Sequence, residues 1–236
     1  MQLFYSSLIK EDVIVLEAEE ARHCSQVLRK REGDVIQVID GKGNFYEGAL
    51  FSIAKKECLV KITKLEANFN PRPFHLHIAI APTKNINRLE WFLEKATEIG
   101  IDEITPILCQ NSERQKIRID RLNRILVAAM KQSLKAHLPQ LNELQDCNDF
   151  LTNHSTAETQ CFIAHCREGD KIQLKKHLNQ GQNVCIMIGP EGDFSEEEVQ
   201  HARKQGFSGL SLGSSRLRTE TAGIVACHIA NFLNEV

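Results

Sequence analysis

Along the first seventy residues, hydrophobic and polar positions alternate in short runs that read as strands. Val35–Ile39 is one, Phe45–Ile53 a second and 58–65 a third, the last two separated by the charged turn Ala54-Lys55-Lys56-Glu57. Asp40-Gly41-Lys42-Gly43-Asn44 supplies the turn chemistry between the first pair. One helical stretch, 17–30, precedes them. Short strands at this spacing predict a compact barrel. Asn68-Phe69-Asn70-Pro71-Arg72-Pro73 then breaks the pattern, because two prolines among asparagines disfavour both helix and central strand. A domain boundary is placed there, with a β-rich domain over 1–70 and a second domain over 73–236.

Beyond the boundary the period switches back and forth between strand and helix. The pattern predicts a strand at 75–81, an amphipathic helix at 85–99 closed by Gly100, a strand at Glu103–Leu108 and a helix at 119–136 stopped before Pro139. Apolar strands follow at 160–164 and 184–188. The clearest helix is 195–205: Ser195 caps it, Glu198 completes a capping box and Gly206 ends it. A strand at 207–212 and an apolar helix at 222–233 complete the chain. Such alternation predicts an α/β fold, a mostly parallel sheet with helices on both faces.

Composition narrows this little. The chain has 236 residues, 42% of them hydrophobic, with 29 Lys+Arg against 31 Asp+Glu. That balance excludes a disordered or collagen-like chain, and its near-neutral charge means any nucleic-acid surface must come from local clusters. No apolar run approaches the roughly 20 residues needed to cross a bilayer, and the N-terminus lacks a basic and apolar leader, so a cytoplasmic protein with no membrane partner is expected. The eight cysteines form no Cys-x-x-Cys pair. Reduced core thiols are the expectation, and no metal is expected; Cys161 and Cys166 near His165 come closest to a ligand set.

In open parallel sheets, ligands bind beyond the C-terminal ends of the strands. Two such ends here carry glycine-bearing loops, Gly189-Pro190-Glu191-Gly192-Asp193-Phe194-Ser195 and Gly213-Ser214-Ser215-Arg216-Leu217-Arg218-Thr219-Glu220-Thr221. Glycines admit a ligand to the backbone, and the helix starts that follow offer free N–H groups. Taken singly, each loop is equally well a tight strand-to-helix turn. Neither is a P-loop or a dinucleotide fingerprint, and no nucleophile elbow occurs. Basic residues cluster locally: Arg114, Lys116, Arg118, Arg121, Arg124, Lys131 and Lys135 in one stretch, and Arg22-His23 with Arg29-Lys30-Arg31 in the other domain. A solvated helix face is the plain reading of such charge, while its sign bias suits a polyanion.

Gly189-Pro190-Glu191-Gly192, then Leu212-Gly213 and Leu217-Arg218-Thr219-Glu220-Thr221-Ala222, resemble the signature of the RsmE family, ribosomal-RNA uridine N3-methyltransferases of the SPOUT superfamily. Lys95-Ala96-Thr97-Glu98-Ile99-Gly100 and Ser112-Glu113-Arg114 resemble two further family motifs. His23, Val27-Leu28-Arg29, Gly33-Asp34 and Asp40-Gly41 resemble its N-terminal PUA-like barrel. The resemblance runs nearly end to end. It implies a trefoil-knotted α/β methyltransferase domain behind a PUA-like barrel, S-adenosylmethionine as methyl donor, a homodimer, and 16S rRNA in the assembled 30S subunit as substrate. Two departures stand out. Asp193 occupies a position where the family has a second glycine, which is expected to alter the turn after Gly192. Lys135 replaces an arginine, exchanging a bidentate contact for a point charge.

By the same resemblance, Gly189, Pro190, Gly192, Leu212, Gly213 and Leu217 are expected to form the donor pocket. Arg218 is expected to stabilise the uracil anion, and Glu220 or Glu191 to receive its proton, with bracing of the loop as the rival role for each glutamate. Arg29, Arg114, Arg121 and Lys135 are expected to contact RNA. The alternatives are a SPOUT methyltransferase acting on a ribose 2′-OH or another base, and a non-catalytic RNA-binding assembly factor.

Overall fold

The computed structural model describes residues 2–154, 158–167 and 171–235. It divides into two compact units, one of residues 1–71 with 127–138, the other of residues 72–126 with 139–236.

The first unit is a six-stranded sheet built from Leu3–Tyr5 (β1), Ile9–Lys10 (β2), Val13–Glu17 (β3), Val35–Ile39 (β4), Phe45–Ile53 (β5) and Glu57–Glu66 (β6), in the order β1-β4-β5-β6-β3-β2. Only β1 and β4 run parallel; the other pairs are antiparallel. Period-2 alternation puts Ile14 and Leu16 of β3, Ile36 and Val38 of β4 and Val60 of β6 into one core with Phe4 and Leu50. The predicted helix 17–30 is shorter and partly wound as a π-helix: Ala18–Arg22 (α1) continues into a π-turn at His23–Val27. Arg29 in the left-handed region (φ 52°) stops it, and the Lys30 N–H bonds back to the Cys24 carbonyl. Val127–Leu138 joins this unit because Met130 and Ala136 pack on Leu3, Ile39 and Phe45. Its backbone is held at the Gly41–Gly43 turn, where the Gly43 N–H reaches the Ala136 carbonyl and the Leu138 N–H the Gly41 carbonyl.

The second unit alternates strand and helix: Leu76–Ile80 (β7), Ile86–Ile99 (α2), Glu103–Leu108 (β8), Ile119–Gln132 (α3, of which the part from Val127 on belongs to the first unit), Gln140–Leu141 (β9), Gln145–Asp146 (β10), Cys147–Asn153 (α4), Thr159–Ala164 (β11), Ile172–Gln173 (β12), Leu174–His177 (α5), Asn183–Ile188 (β13), Glu196–Lys204 (α6), Ser208–Ser211 (β14) and Thr219–Asn234 (α7). Its sheet is parallel, in the order β10-β8-β7-β13-β11-β14-β12, with β9 beside β8. The central strands β7 and β13 are buried almost throughout, which is why they read as mainly apolar runs, with His77 the polar residue inside β7. Helices cover both faces: Ala79 and Met187 face Phe150 of α4 and Val199 of α6, while Ile80 lies under Gly223 of α7 beside Phe92 of α2.

Local signals fix most boundaries. Asn85 caps α2 through Asn87 N–H, and Ser195 with Glu198 forms the capping box of α6. Two ends differ from the sequence pattern. The helix predicted to reach 136 stops at Gln132, because Leu134 turns left-handed (φ 56°) and the Lys135 N–H folds back onto the Met130 carbonyl. The last helix begins at Thr219 rather than 222, with Arg218 as an extended N-cap. Among the described residues, no helix is long and apolar enough to cross a membrane.

Candidate functional site

Three neighbouring parallel strands, β13, β11 and β14, end together, and the loops that leave them surround a cavity of about 760 Å³. Ile188, Leu210, Leu212 and Leu217 form apolar wall, Gly189, Pro190 and Gly213 expose backbone, and Arg88, Lys171, Arg216 and Arg218 contribute cations. Two carboxylates line it as well, Glu191 and Asp193, and each is already engaged by backbone N–H groups. Cations therefore outnumber carboxylates around the cavity, which suits an anionic group of a ligand at its rim.

The two loops singled out in the sequence are joined directly. Thr219, at the first position of α7, donates its buried hydroxyl to the Gly189 carbonyl at 3.0 Å. A side chain on Gly189 would put its Cβ 3.0 Å from the Phe194 ring, so that loop is closed over its own aromatic residue. Asp193 occupies the turn after Gly192. It adopts the left-handed backbone (φ 63°) that a glycine would, a conformation aspartate tolerates better than most residues. Its carboxylate accepts the Cys166 N–H at 2.9 Å and its own neighbour Phe194 N–H at 2.9 Å, tying the loop after β11 to the loop after β13. Gly192 packs against Asn111, whose side-chain amide donates to the Gly192 and Asp193 carbonyls, and it is not part of the cavity wall.

The two glutamates have different surroundings. Glu191 accepts the Lys84 N–H at 3.1 Å. Arg114 holds the same segment from its carbonyls, donating Nε to Thr83 O at 3.0 Å and a terminal nitrogen to Lys84 O at 2.6 Å. Glu191 and Arg114 together clamp the turn between β7 and α2. Glu220 is only 7% exposed, and its Oε2 is buried with no hydrogen-bond partner among the described residues. Its nearest cation is Arg88, with Nε 3.7 Å from Oε1. Arg218 is exposed at the rim of the cavity. His165 is buried in the wall, and neither ring nitrogen has a hydrogen-bond partner among the described residues. Burial, followed by the charge of Lys171, pushes its imidazole below the ordinary histidine range.

The basic residues differ in what they already hold. Arg121 is ion-paired with Glu90 at 2.7 Å, Lys131 is paired with Glu20, and Lys135 lies past the end of α3. Arg29 is exposed in the first unit, on the left-handed residue that ends its helix. Sequence reasoning missed Arg88, Lys171 and the role of Thr219, and considered His165 only beside Cys161 and Cys166, not as part of this cavity. A signal existed for two of them: His165 follows β11 directly, at a C-terminal strand end, and Arg88 lies in the first turn of α2, the helix that follows β7.

Residues 70–231 match the RNA methyltransferase domain family, and residues 16–63 match the RNA methyltransferase PUA domain family. A probable rRNA-methyltransferase from Porphyromonas gingivalis is 40% identical and superposes with a TM-score of 0.92, covering 99% of this chain and 98% of that one. A ribosomal RNA small subunit methyltransferase E from Neisseria gonorrhoeae, solved bound to S-adenosyl methionine, is 26% identical with a TM-score of 0.86, covering 99% of this chain and 98% of that one. The curated ribosomal RNA small subunit methyltransferase E of Mesomycoplasma hyopneumoniae is 28% identical over 95% of this chain and 96% of its own length. The glycine-lined cavity between the Gly189 and Arg218 loops thus sits within the matched domain, and the chain belongs to the RNA methyltransferase family that includes the ribosomal RNA small subunit methyltransferases E, the RsmE group.

Proposed function

We propose that this protein transfers a methyl group from S-adenosylmethionine to N3 of a uridine in 16S rRNA, acting on the assembled 30S subunit in the cytoplasm as a homodimer. The observation that carries the reading is the Thr219–Gly189 hydrogen bond, which closes two glycine-bearing loops around one cavity with a cationic rim. A volume of about 760 Å³ suits an adenosyl ligand, since pockets for such molecules span roughly 300–1,000 Å³. Gly189, Pro190, Leu212, Gly213 and Leu217 would hold the donor through backbone groups and apolar wall, with Gly192 supporting the loop from behind.

The donor supplies a methyl group already activated by its sulfonium, so the protein's tasks are alignment and handling of the uracil proton. N3 of uracil carries an imide proton and has no lone pair to attack with until that proton leaves. Glu220 is the better acceptor, because one oxygen of its buried carboxylate has no hydrogen-bond partner among the described residues, whereas Glu191 is occupied in bracing Lys84. Arg218, exposed at the rim, offsets the negative charge that then spreads over O2 and O4. Arg29 is exposed to phosphate, while Arg114 and Arg121 would reach RNA only by giving up internal partners. A dimer agrees with the large apolar side chains left exposed on two helices of the second unit, Phe232 at 64% and Trp91 at 44%. A knot agrees with the strand order, in which β14 lies between β11 and β12, two strands that precede it.

Nucleosides of 16S rRNA from cells lacking the protein provide the test. Loss of 3-methyluridine alone is expected, restored by the wild-type chain and not by Arg218→Ala, while donor binding by that variant stays near wild type. Loss of a ribose-methylated nucleoside would refute the N3 assignment, and equal loss of donor binding and turnover in Arg218→Ala would make that arginine a part of the donor pocket.

A further inference from the structure

Away from the cavity, a row of soft donor side chains crosses the second unit's sheet. His77 on β7 is in register with Cys185 on β13, and Cys185 is in register with Cys161 on β11. In-register residues of adjacent parallel strands stand about 4.8 Å apart and project to the same face. His154, the residue that ends α4, lies over this row. The ligating atoms of His77, His154 and Cys185 all fall within 4.8 Å of one another. Cys161 stands beside this trio rather than within it: it is the register partner of Cys185, and its thiol interacts with both Cys185 and His154.

Two further features distinguish this group from a chance meeting of core residues. The Nε2 atom of His154 is buried and has no hydrogen-bond partner among the described residues, an arrangement that costs about 1–3 kcal/mol unless something satisfies it. His77 is oriented from outside: its Nε2 hydrogen-bonds Thr105 Oγ1 at 2.7 Å, and Asn142 donates to the same hydroxyl. A ring fixed through one nitrogen has the other to offer a metal, the usual outer-shell arrangement of a histidine ligand. Phe150 stacks on His154 at 5.1 Å and meets His77 edge-on, which holds both rings in an apolar surround. The second buried cluster, Cys109, Cys147 and Glu198, lacks these features, because both oxygens of Glu198 already accept backbone N–H groups.

We propose that His77, His154, Cys161 and Cys185 bind one zinc ion. Two thiolates and two neutral imidazoles make a four-coordinate set that neutralises the cation and leaves no open position, the mark of a structural rather than a catalytic site. On binding, two S–H bonds break, two Zn–S bonds form and two protons pass to solvent, with no change of oxidation state. The ion would pin β7, β11 and β13 to α4 three residues, roughly 10 Å, before the strand ends that carry the cavity loops.

The test is elemental analysis of the full-length protein purified under reducing conditions without chelator, with cobalt exchange as an independent reading. About one zinc per chain is expected, together with thiolate-to-cobalt charge-transfer bands and the visible bands of tetrahedral cobalt. Replacing both Cys161 and Cys185 by serine should abolish metal and bands, while Cys109→Ser should retain them. Should the double variant not fold, the wild-type zinc content and cobalt spectrum decide alone. A wild-type protein without zinc that gives no cobalt bands, bands that persist in the double serine variant, or a Cys161–Cys185 disulfide in freshly purified reduced protein would each overturn the site.

Discussion

Replacing Thr219 by valine isolates the contact that joins the two cavity loops. Valine keeps the β-branched shape and loses only the hydroxyl, so the buried Gly189 carbonyl forfeits a donor at 3.0 Å and no cavity opens. A hydrogen bond of this kind contributes about 0.5–1.5 kcal/mol net, and stranding a buried carbonyl raises the loss to about 1–3 kcal/mol. For a chain of this size each kcal/mol corresponds to about 2–4 °C, so thermal unfolding should fall by about 2–12 °C. The same contact holds the loops in their closed arrangement. If about 1.4 kcal/mol of the loss falls on that closure, donor affinity drops by up to about tenfold, the full factor applying once the open arrangement predominates, because only the closed fraction binds. Calorimetric titration with S-adenosylmethionine beside a thermal melt measures both, and Thr219→Ser, which restores the hydroxyl, should recover most of each. An unchanged melt would show that the hydrogen bond contributes nothing to the fold. A lowered melt with undiminished donor affinity would refute the claim that closing these loops builds the donor pocket.

Two other outcomes follow from the site and the surface. Glu220→Gln keeps the shape of the buried side chain and removes its basicity, so single-turnover methylation should fall by about 10²–10⁴ with donor affinity retained. An equal loss for Glu191→Gln would reassign the proton acceptor. Phe232→Asp places a charge on the exposed apolar face of α7, and light scattering behind size exclusion should then report a monomer where the wild type runs as a dimer. A wild-type monomer would remove the dimer from the proposal.

Much of the fold could be read from local chemistry, because the signals are carried by neighbours in sequence. Asn85 and Gly100 bracket α2, the Ser195–Glu198 box starts α6, and the apolar runs at Leu76–Ile80 and Asn183–Ile188 mark strands buried on both faces. The pairing of the Gly189 and Arg218 loops was legible as motif and as position beyond strand ends. The end of α3 was not: no proline or glycine stands at 133–135, and Leu134 turns left-handed where Met130 and Ala136 on either side pack against Leu3, Ile39 and Phe45. Arg114 and Arg121 looked alike in a basic stretch, yet one clamps the Thr83–Lys84 carbonyls and the other pairs with Glu90, choices made by residues about thirty positions away.

The sequence alone determined where backbone can turn, which runs must be buried and which loops carry glycine, since those follow from each residue's own stereochemistry and polarity. Only the tertiary structure decided which polar groups end without a partner and which soft ligands meet. Glu220 carries a buried oxygen with no hydrogen-bond partner among the described residues, and His77, Cys161 and Cys185 line up because parallel strands distant in sequence share a register. Hydrogen bonds and coordination act over about 3 Å, and positions that far apart along the chain reach such distances only when packing of the whole unit places them there.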